Sequence, residues 1–334
     1  MTSPERTNPF RLVCTLGPAV DDLKTLTTLV GKVSHFRLNG SHLDTKTLNA
    51  WLSKLSSVYE QNDREIPLIL DLQGAKMRIG SYANATHLPA RVRLVNSSAT
   101  SPFPDVIPVP HERLFRTLSV GEELTLNDNR IRLVVTELST DCVFATVKQN
   151  GPLSSRKGIN RADHPIPFDG LSNRDEGLLQ VALDYPFVSF ALSFVSCGED
   201  AKHLRNLTER NIVAKIERPE TFSDLAQIDE AFDELWFCRG DLGAQAGLTA
   251  LGKLQLQFEK ELVDYSKPAL LAGQALEHMT HFKRPTRAEI VGLYRAIVGP
   301  WSGIVLSDET AVGKYPLETV TLVNDLIKAA RDES

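Results

Sequence analysis

Cysteine is scarce in this chain of 334 residues, and its placement excludes a disulfide framework: Cys14, Cys142, Cys197 and Cys238 lie far apart and form no C-x-x-C pair. Three of them fall in or beside apolar runs, so reduced core residues are expected rather than a disulfide or a zinc site. Long hydrophobic stretches are missing too. No run approaches the roughly 18 apolar residues of a membrane-spanning helix, and the opening MTSPERTNPFRLV lacks a stretch of signal-peptide length. A cytoplasmic protein with no membrane partner is expected. Basic residues are not in excess, with 37 Lys+Arg against 42 Asp+Glu and a net charge of -5. The chain as a whole is therefore not expected to bind nucleic acid, and any polyanion it holds must sit in a local pocket. Low-complexity tracts and short-period repeats are also lacking. What is present is ordinary globular material, 42% hydrophobic and 24% charged, which excludes disorder, collagen and coiled coil and suffices for one or two domains.

Short β-branched or apolar runs recur at 12–17, 33–39, 67–73, 187–194, 212–217, 235–240, 268–272 and 303–307, most of them followed by a stretch of helical period. Strands alternating with helices argue for parallel β/α units, because a parallel crossover needs a long connection that covers the sheet face. Eight such units close a (β/α)₈ barrel. The interval 79–150 breaks the rhythm. It has no good amphipathic helix but short alternating runs at Arg91–Val95, Glu123–Leu126, 131–136 and 142–148, with Pro-rich punctuation at 101–110 and a turn at Asn127-Asp128-Asn129. It reads as an inserted all-β domain after the third strand. The expected division is residues 1–74 and 157–334 for the barrel and 75–156 for the insert.

Sites in such barrels lie at the carboxyl ends of the strands, so polar residues that close an apolar run are the informative ones. Arg37, Asn39, Ser41 and His42 follow the second run, Asp71 and Gln73 the third, Ser193 the fourth, and Lys215 and Glu217 the fifth. Arg239 and Asp241 follow the sixth, Gln274 the seventh, and Ser307, Asp308 and Glu309 the eighth. A spacing of two puts the Lys215 ammonium and the Glu217 carboxylate on one side of a strand, either as a structural ion pair or as part of a site. Glu217 and Asp241 end neighbouring strands, and two hard carboxylates there suit Mg²⁺ or Mn²⁺. Arg37, Arg78, Lys157 and Lys215 would then neutralise a transferring phosphoryl group or an oxyanion.

These residues carry a resemblance. In order, the segments LVCTLGPA, FRLNGSH, LILDLQGAKMRIG, SRKGIN, LSNRDEGLL, FALSFV, AKIERPE, CRGDLGAQ, KPALLAGQALEHM, RPTRAE and LSDETAVGKYPLETV resemble those of the pyruvate kinase family. The resemblance implies a (β/α)₈ barrel with a β-rich lid domain, and transfer of phosphoryl from phosphoenolpyruvate to ADP with Mg²⁺. By the same resemblance, Lys215 stabilises charge on the phosphoryl group and the forming enolate, and Glu217 and Asp241 hold the metal. The backbone of Gly240 and Asp241 holds the substrate carboxylate, and Arg37 contacts the phosphoryl group. Asn39, His42, Arg78 and Lys157 match positions around the nucleotide phosphates, Asp128 lies where the lid delivers a polar group, and Ser193 and Ser307 match hydroxyls near the reacting centre.

Departures from the family pattern shape the expectations as much as the matches. The segment Asp71-Leu72-Gln73-Gly74-Ala75-Lys76 resembles the potassium-independent branch, with the Lys76 ammonium taking the place of the monovalent cation beside Asp71. Gly273 stands in the substrate pocket where the family has Thr, so either water fills the space or the substrate is larger than phosphoenolpyruvate. Val312 replaces a Lys near the nucleotide, and Thr47 stands where an aromatic is expected. The family's carboxy-terminal regulatory domain is not expected, while a homodimer through the barrel is. Two further readings stay open: a metal-dependent carbon–carbon lyase or ligase working through a pyruvate-class enolate, and a non-catalytic binding module derived from a kinase.

Overall fold

The computed structural model describes residues 9–127, 129–139, 142–161 and 170–332. Fourteen strands are found among them. In chain order they are β1 (Arg11–Thr15), β2 (His35–Asn39), β3 (Leu68–Leu72), β4 (Arg91–Val95), β5 (Val106–Pro108), β6 (Glu123–Leu126), β7 (Ile131–Leu138), β8 (Cys142–Gln149), β9 (Ile159–Arg161), β10 (Val188–Leu192), β11 (Ile212–Ile216), β12 (Glu234–Cys238), β13 (Ala269–Ala272) and β14 (Gly303–Leu306). The α-helices are α1 (Leu23–Val30), α2 (Thr45–Asn62), α3 (Glu112–Thr117), α4 (Asn173–Leu183), α5 (Lys202–Arg205), α6 (Leu225–Ala231), α7 (Arg239–Ala246), α8 (Leu248–Glu261), α9 (Arg287–Val298), α10 (Asp308–Ala311) and α11 (Pro316–Asp332). None of the described helices is long and apolar enough to cross a membrane.

The chain divides into two compact units, one made of residues up to 74, 170–240 and from 251 onward, the other of 75–169 and 241–250. In the first, eight parallel strands close a barrel in the order β1-β14-β13-β12-β11-β10-β3-β2. All eight expected strands are there. Their inward side chains stack into a packed interior of Val13, Ile69, Ala191, Val213, Trp236, Cys238, Leu270, Ala272 and Val305, each nearly inaccessible. Each fully buried Val or Leu of this kind contributes roughly 1.5–3 kcal/mol.

Several of the helices between strands start on side-chain caps: Asp44 accepts from Thr47 N, Ser172 from Asp175 N, and Thr286 from Glu289 N in a capping box. Helix α2 stops where Asp63 turns left-handed at φ 46°.

The second unit is a six-stranded sheet in the order β5-β4-β8-β7-β6-β9, antiparallel except for the β4–β5 pair, around an apolar core that includes Val92, Leu94, Leu124, Leu133 and Ile159. Three features depart from the sequence reading. A short helix, α3, lies in the interval read as lacking one, and β5 falls inside the Pro-rich stretch. Strand β9, assigned to the barrel by the boundary at 157, pairs antiparallel with β6. Ile159 faces the insert's core, and that burial decides where the strand goes. The turn at 127–129 has φ 51° at Asn127 and φ 63° at Asn129, as Asn tolerates, while Asp128 lies outside the described residues.

None of the four cysteines forms a disulfide; Cys14 and Cys238 are buried, but Cys142 and Cys197 are only partly so, less than core residues would be.

Candidate active site

The site grows from the barrel interior by the two-residue period of a strand. Two positions beyond the interior residues Val13, Ile69, Ala191 and Val213 stand Thr15, Asp71, Ser193 and Lys215, on the same faces and one layer higher. Arg37 joins them from β2, whose register sets it opposite Thr15 and Ile69. The layer below is apolar and dry. The polar groups above it therefore find their partners among one another, the neighbouring backbone and whatever enters the barrel mouth.

They form one network. The Lys215 ammonium donates to Ser193 Oγ at 2.8 Å and lies 3.0 Å from Asp71 Oδ2 and 2.9 Å from Glu217 Oε1, which uses all three of its protons. Ser193 Oγ in turn donates to Asp71 Oδ1 at 3.0 Å. Arg37 reaches Asp71 Oδ2 through Nε at 3.0 Å and Nη2 at 2.6 Å, and its Nη1 donates to Thr15 Oγ1 at 2.9 Å. Glu217 Oε2 accepts the Phe194 N–H at 2.8 Å, holding that bulky residue at φ 60°, a conformation such a side chain rarely adopts. Lys215, Asp71 and Glu217 are 7%, 2% and 1% exposed, so their charges are compensated by partners rather than by water.

Burial alone would strip the proton from Lys215, yet the carboxylates of Asp71 and Glu217 outweigh it and hold the ammonium well above the usual lysine range. Burial likewise opposes the Asp71 charge, and Lys215 and Arg37 outweigh it, so the carboxyl stays below its ordinary value. The network is thus a fixed positive pair, Lys215 and Arg37, seated on two carboxylates.

At the neighbouring strand ends, glycine makes room. Gly273, just past β13, has φ 85°, and a side chain there would bring its Cβ within 3.3 Å of the Gly240 nitrogen. Arg239 clamps the Gly273 carbonyl through Nε at 2.9 Å and Nη2 at 2.6 Å. Gly240 itself faces open space at the start of α7, where the first N–H groups of a helix lack internal partners.

A family model described as "Pyruvate kinase, barrel domain" matches residues 7–320. The chain belongs to the pyruvate kinase family. A protein named "Pyruvate kinase" from Mycobacterium intracellulare is 31% identical over 333 residues, covering 97% of this chain and 70% of that protein. One of the same name from Mycobacterium tuberculosis shows the same identity and coverage, and one from Thermococcus litoralis is 29% identical over 335 residues, covering 96% of this chain and 70% of its own length.

Of the pyruvate kinase residues anticipated from sequence, Arg37, Asp71, Ser193, Lys215 and Glu217 converge in the network just described. Asn39 sits beside them in β2 with its side-chain Oδ1 accepting the Ser41 N–H, and His42 is exposed after it. Ser307 heads α10, its N–H held by Glu309 at 2.7 Å. In the second unit, Arg78 Nη1 donates to the Arg156 carbonyl at 2.8 Å and Lys157 accepts from Ile79 N through its carbonyl. Asp241 accepts from Lys76 Nζ at 2.5 Å. The Lys76 ammonium, expected from sequence beside Asp71, has Asp241 as an ion-pair partner, and Asp71 is engaged by Arg37, Lys215 and Ser193 of its own barrel.

Sequence reasoning missed several supports. Thr15, the last residue of β1, takes Arg37 Nη1 and donates to the Leu306 carbonyl at 2.6 Å; the strand period alone points to it. Asp175, fully buried, accepts the N–H groups of Gln73 and Gly74, and no local pattern distinguishes such a carboxylate from a surface acid. Glu309 and Arg239 were named at the rim from sequence, but not their partners: Glu309, fully buried, accepts the N–H groups of Leu276 and Ser307, and Arg239 clamps the Gly273 carbonyl.

Proposed function

We propose that this chain transfers phosphoryl from phosphoenolpyruvate, or a related enol phosphate, to ADP with Mg²⁺, giving ATP and the 2-oxo acid. The observation that carries the reading is the buried Lys215 ammonium, kept charged between Asp71 and Glu217 beside Arg37 at the open end of the barrel. In the transfer, the bond from phosphorus to the enol oxygen breaks and a bond to a terminal oxygen of the ADP β-phosphate forms. The enolate left behind takes a proton at its methylene carbon. Lys215 and Arg37 face the charge that spreads over the phosphoryl oxygens and the leaving enolate, and being held in place they need no reorganisation as it develops.

Glu217 and Asp241 are the carboxylates proposed to hold the divalent cation. Their chemistry fits in that both present hard carboxylate oxygens, the donors that Mg²⁺ and Mn²⁺ take; Lys215 on Glu217 and Lys76 on Asp241 are the ammonium groups such an ion would adjoin. When bound, the ion supplies further positive charge for phosphoryl oxygens. The Gly240 and Asp241 backbone is assigned to the substrate carboxylate and Ser193 and Ser307 to the reacting centre. Asn39, His42, Arg78 and Lys157 are assigned to the nucleotide phosphates. Lys76 is proposed to make a monovalent cation unnecessary, acting on Asp241 rather than on Asp71. A C3-substituted enol phosphate is retained as a substrate because Gly273 brings no side chain to this part of the barrel mouth.

Phosphorus NMR of the purified chain with phosphoenolpyruvate, ADP and Mg²⁺ in potassium-free sodium buffer tests this directly. ATP is expected to form, only with the metal, and at a rate unchanged when potassium is added. Activation of several fold by potassium would remove the role given to Lys76. No ATP in either buffer, with proton exchange into pyruvate at Mg²⁺ alone, would favour enolate lyase or ligase chemistry instead.

A further inference from the structure

The inserted domain contains a contact that the barrel chemistry does not use. His111, immediately before α3, places Nε2 3.0 Å from the Arg78 backbone nitrogen and 3.1 Å from the Arg78 carbonyl oxygen. One ring nitrogen thus stands within hydrogen-bond reach of both the donor and the acceptor of a single residue, and it serves only one at a time. With the ring proton on Nδ1, Nε2 accepts the Arg78 N–H; once both nitrogens carry protons, Nε2–H donates to the Arg78 carbonyl and the N–H loses its acceptor.

The residue gripped in this way is not an ordinary one. Arg78 forms an antiparallel bridge with Gly158, Ile79 N donates to the Lys157 carbonyl at 2.9 Å, and Arg78 Nη1 is tied to the carbonyl of Arg156, itself at φ 61°. The two basic residues assigned above to nucleotide phosphates therefore lie on the two sides of one bridge, and His111 holds one side of it.

We propose that His111 is a positioning residue for the nucleotide, fixing the backbone of Arg78 and through the bridge that of Lys157, so that ADP affinity depends on an unprotonated His111 ring. The inference rests on the reading of Arg78 as a phosphate-binding residue. Burial lowers the His111 pKa and the Arg78 carbonyl pushes the other way, so the neutral ring prevails at neutral pH. The charged residues on the elements packed against it are Glu112, Arg113 and Arg116 on α3 and Arg78, Arg156 and Lys157 along the bridge.

The test is initial-rate kinetics of the whole chain with ADP varied at saturating phosphoenolpyruvate and Mg²⁺, between about pH 5.5 and 8. Arg78→Gln tests the underlying reading and should raise KM for ADP about tenfold or more. His111→Leu, which removes the acceptor, should raise KM for ADP several-fold, about 5-fold, with kcat within about 2-fold of wild type. His111→Gln keeps an acceptor that does not titrate. Because ADP itself titrates in this range, the comparison is between proteins: wild-type KM should climb more steeply on acidification than that of His111→Gln. An Arg78→Gln variant with unchanged KM would overturn the phosphate-binding reading and this inference with it. A raised KM in Arg78→Gln beside a wild-type KM in His111→Leu would overturn the inference alone. Should His111→Leu fail to fold, a His111→Gln profile that tracks wild type decides against the proposal.

Discussion

Lys215 is where local chemistry and burial meet most sharply. Its three protons are shared among Ser193, Asp71 and Glu217, and its neighbours exclude water. Lys215→Met is expected to lower kcat for phosphoryl transfer by about 10²–10³-fold or more, the scale seen when a preorganised donor to developing charge is removed. The same change leaves Glu217 without its ammonium partner in a dry site, so a stability loss of roughly 3–5 kcal/mol is expected alongside it. Both are measurable, by coupled turnover and by urea unfolding; wild-type turnover in this variant would remove Lys215 from the mechanism. Arg37, Lys215 and Glu217 stood out in the sequence because polar residues there interrupt or close apolar runs: Arg37 and Lys215 lie within β2 and β11, and Glu217 directly follows β11. Lys76 stood out in its segment, but nothing there records that Asp241, 165 positions on, would reach it.

Among the elements, the end of β3 shows how strand position is locked. Gly74 follows it at φ 56°, and a Cβ there would sit 2.3 Å from the Ser193 carbonyl oxygen, against the end of the neighbouring strand β10. The buried Asp175 carboxylate holds the N–H groups of Gln73 and Gly74 from the first turn of α4. Gly74→Ala should therefore cost more than about 2 kcal/mol, the left-handed penalty of roughly 1–2 kcal/mol plus displacement of backbone. The displacement moves the ends of β3 and β10, which carry Asp71 and Ser193, so kcat is expected to fall together with the urea midpoint. A variant with wild-type midpoint would show that the turn accommodates a side chain. The eight barrel strands were readable from apolar runs because a strand buried on both faces needs them. β9 was misassigned because three residues carry too little pattern to say which sheet they complete.

For the molecule as a whole, the network couples protonation to folding. Asp71 has a folded pKa below its unfolded value of about 3.9, so its contribution is complete above roughly pH 5 and is lost as pH falls through the folded value. Lys215 has a folded pKa above its unfolded value of about 10.4, so its contribution is complete at lower pH and disappears only as pH rises through the folded value. Stability from the pair is thus level across the neutral range. Asp71→Asn should be less stable than wild type from about pH 5 to 9, and the gap in urea midpoint should close below about pH 4, where the wild-type carboxyl also takes up a proton. A gap that persisted unchanged into acid would mean that the Asp71 charge does not contribute to the fold.

The sequence by itself determined the class of fold, the number of barrel strands, the insertion after the third of them and most of the residues that line the barrel mouth. Each of these follows from short-range rules: apolar runs make buried strands, alternation makes half-exposed ones, and the residue that ends a buried strand is delivered to the rim. Only the tertiary structure decided who pairs with whom. It gave Lys76 to Asp241, set Thr15 under Arg37, closed Arg239 on the Gly273 carbonyl and aimed His111 at Arg78. Those partners lie tens to hundreds of residues apart, and the energy of a buried charge or a buried N–H depends on the one group packed against it, which no local pattern specifies.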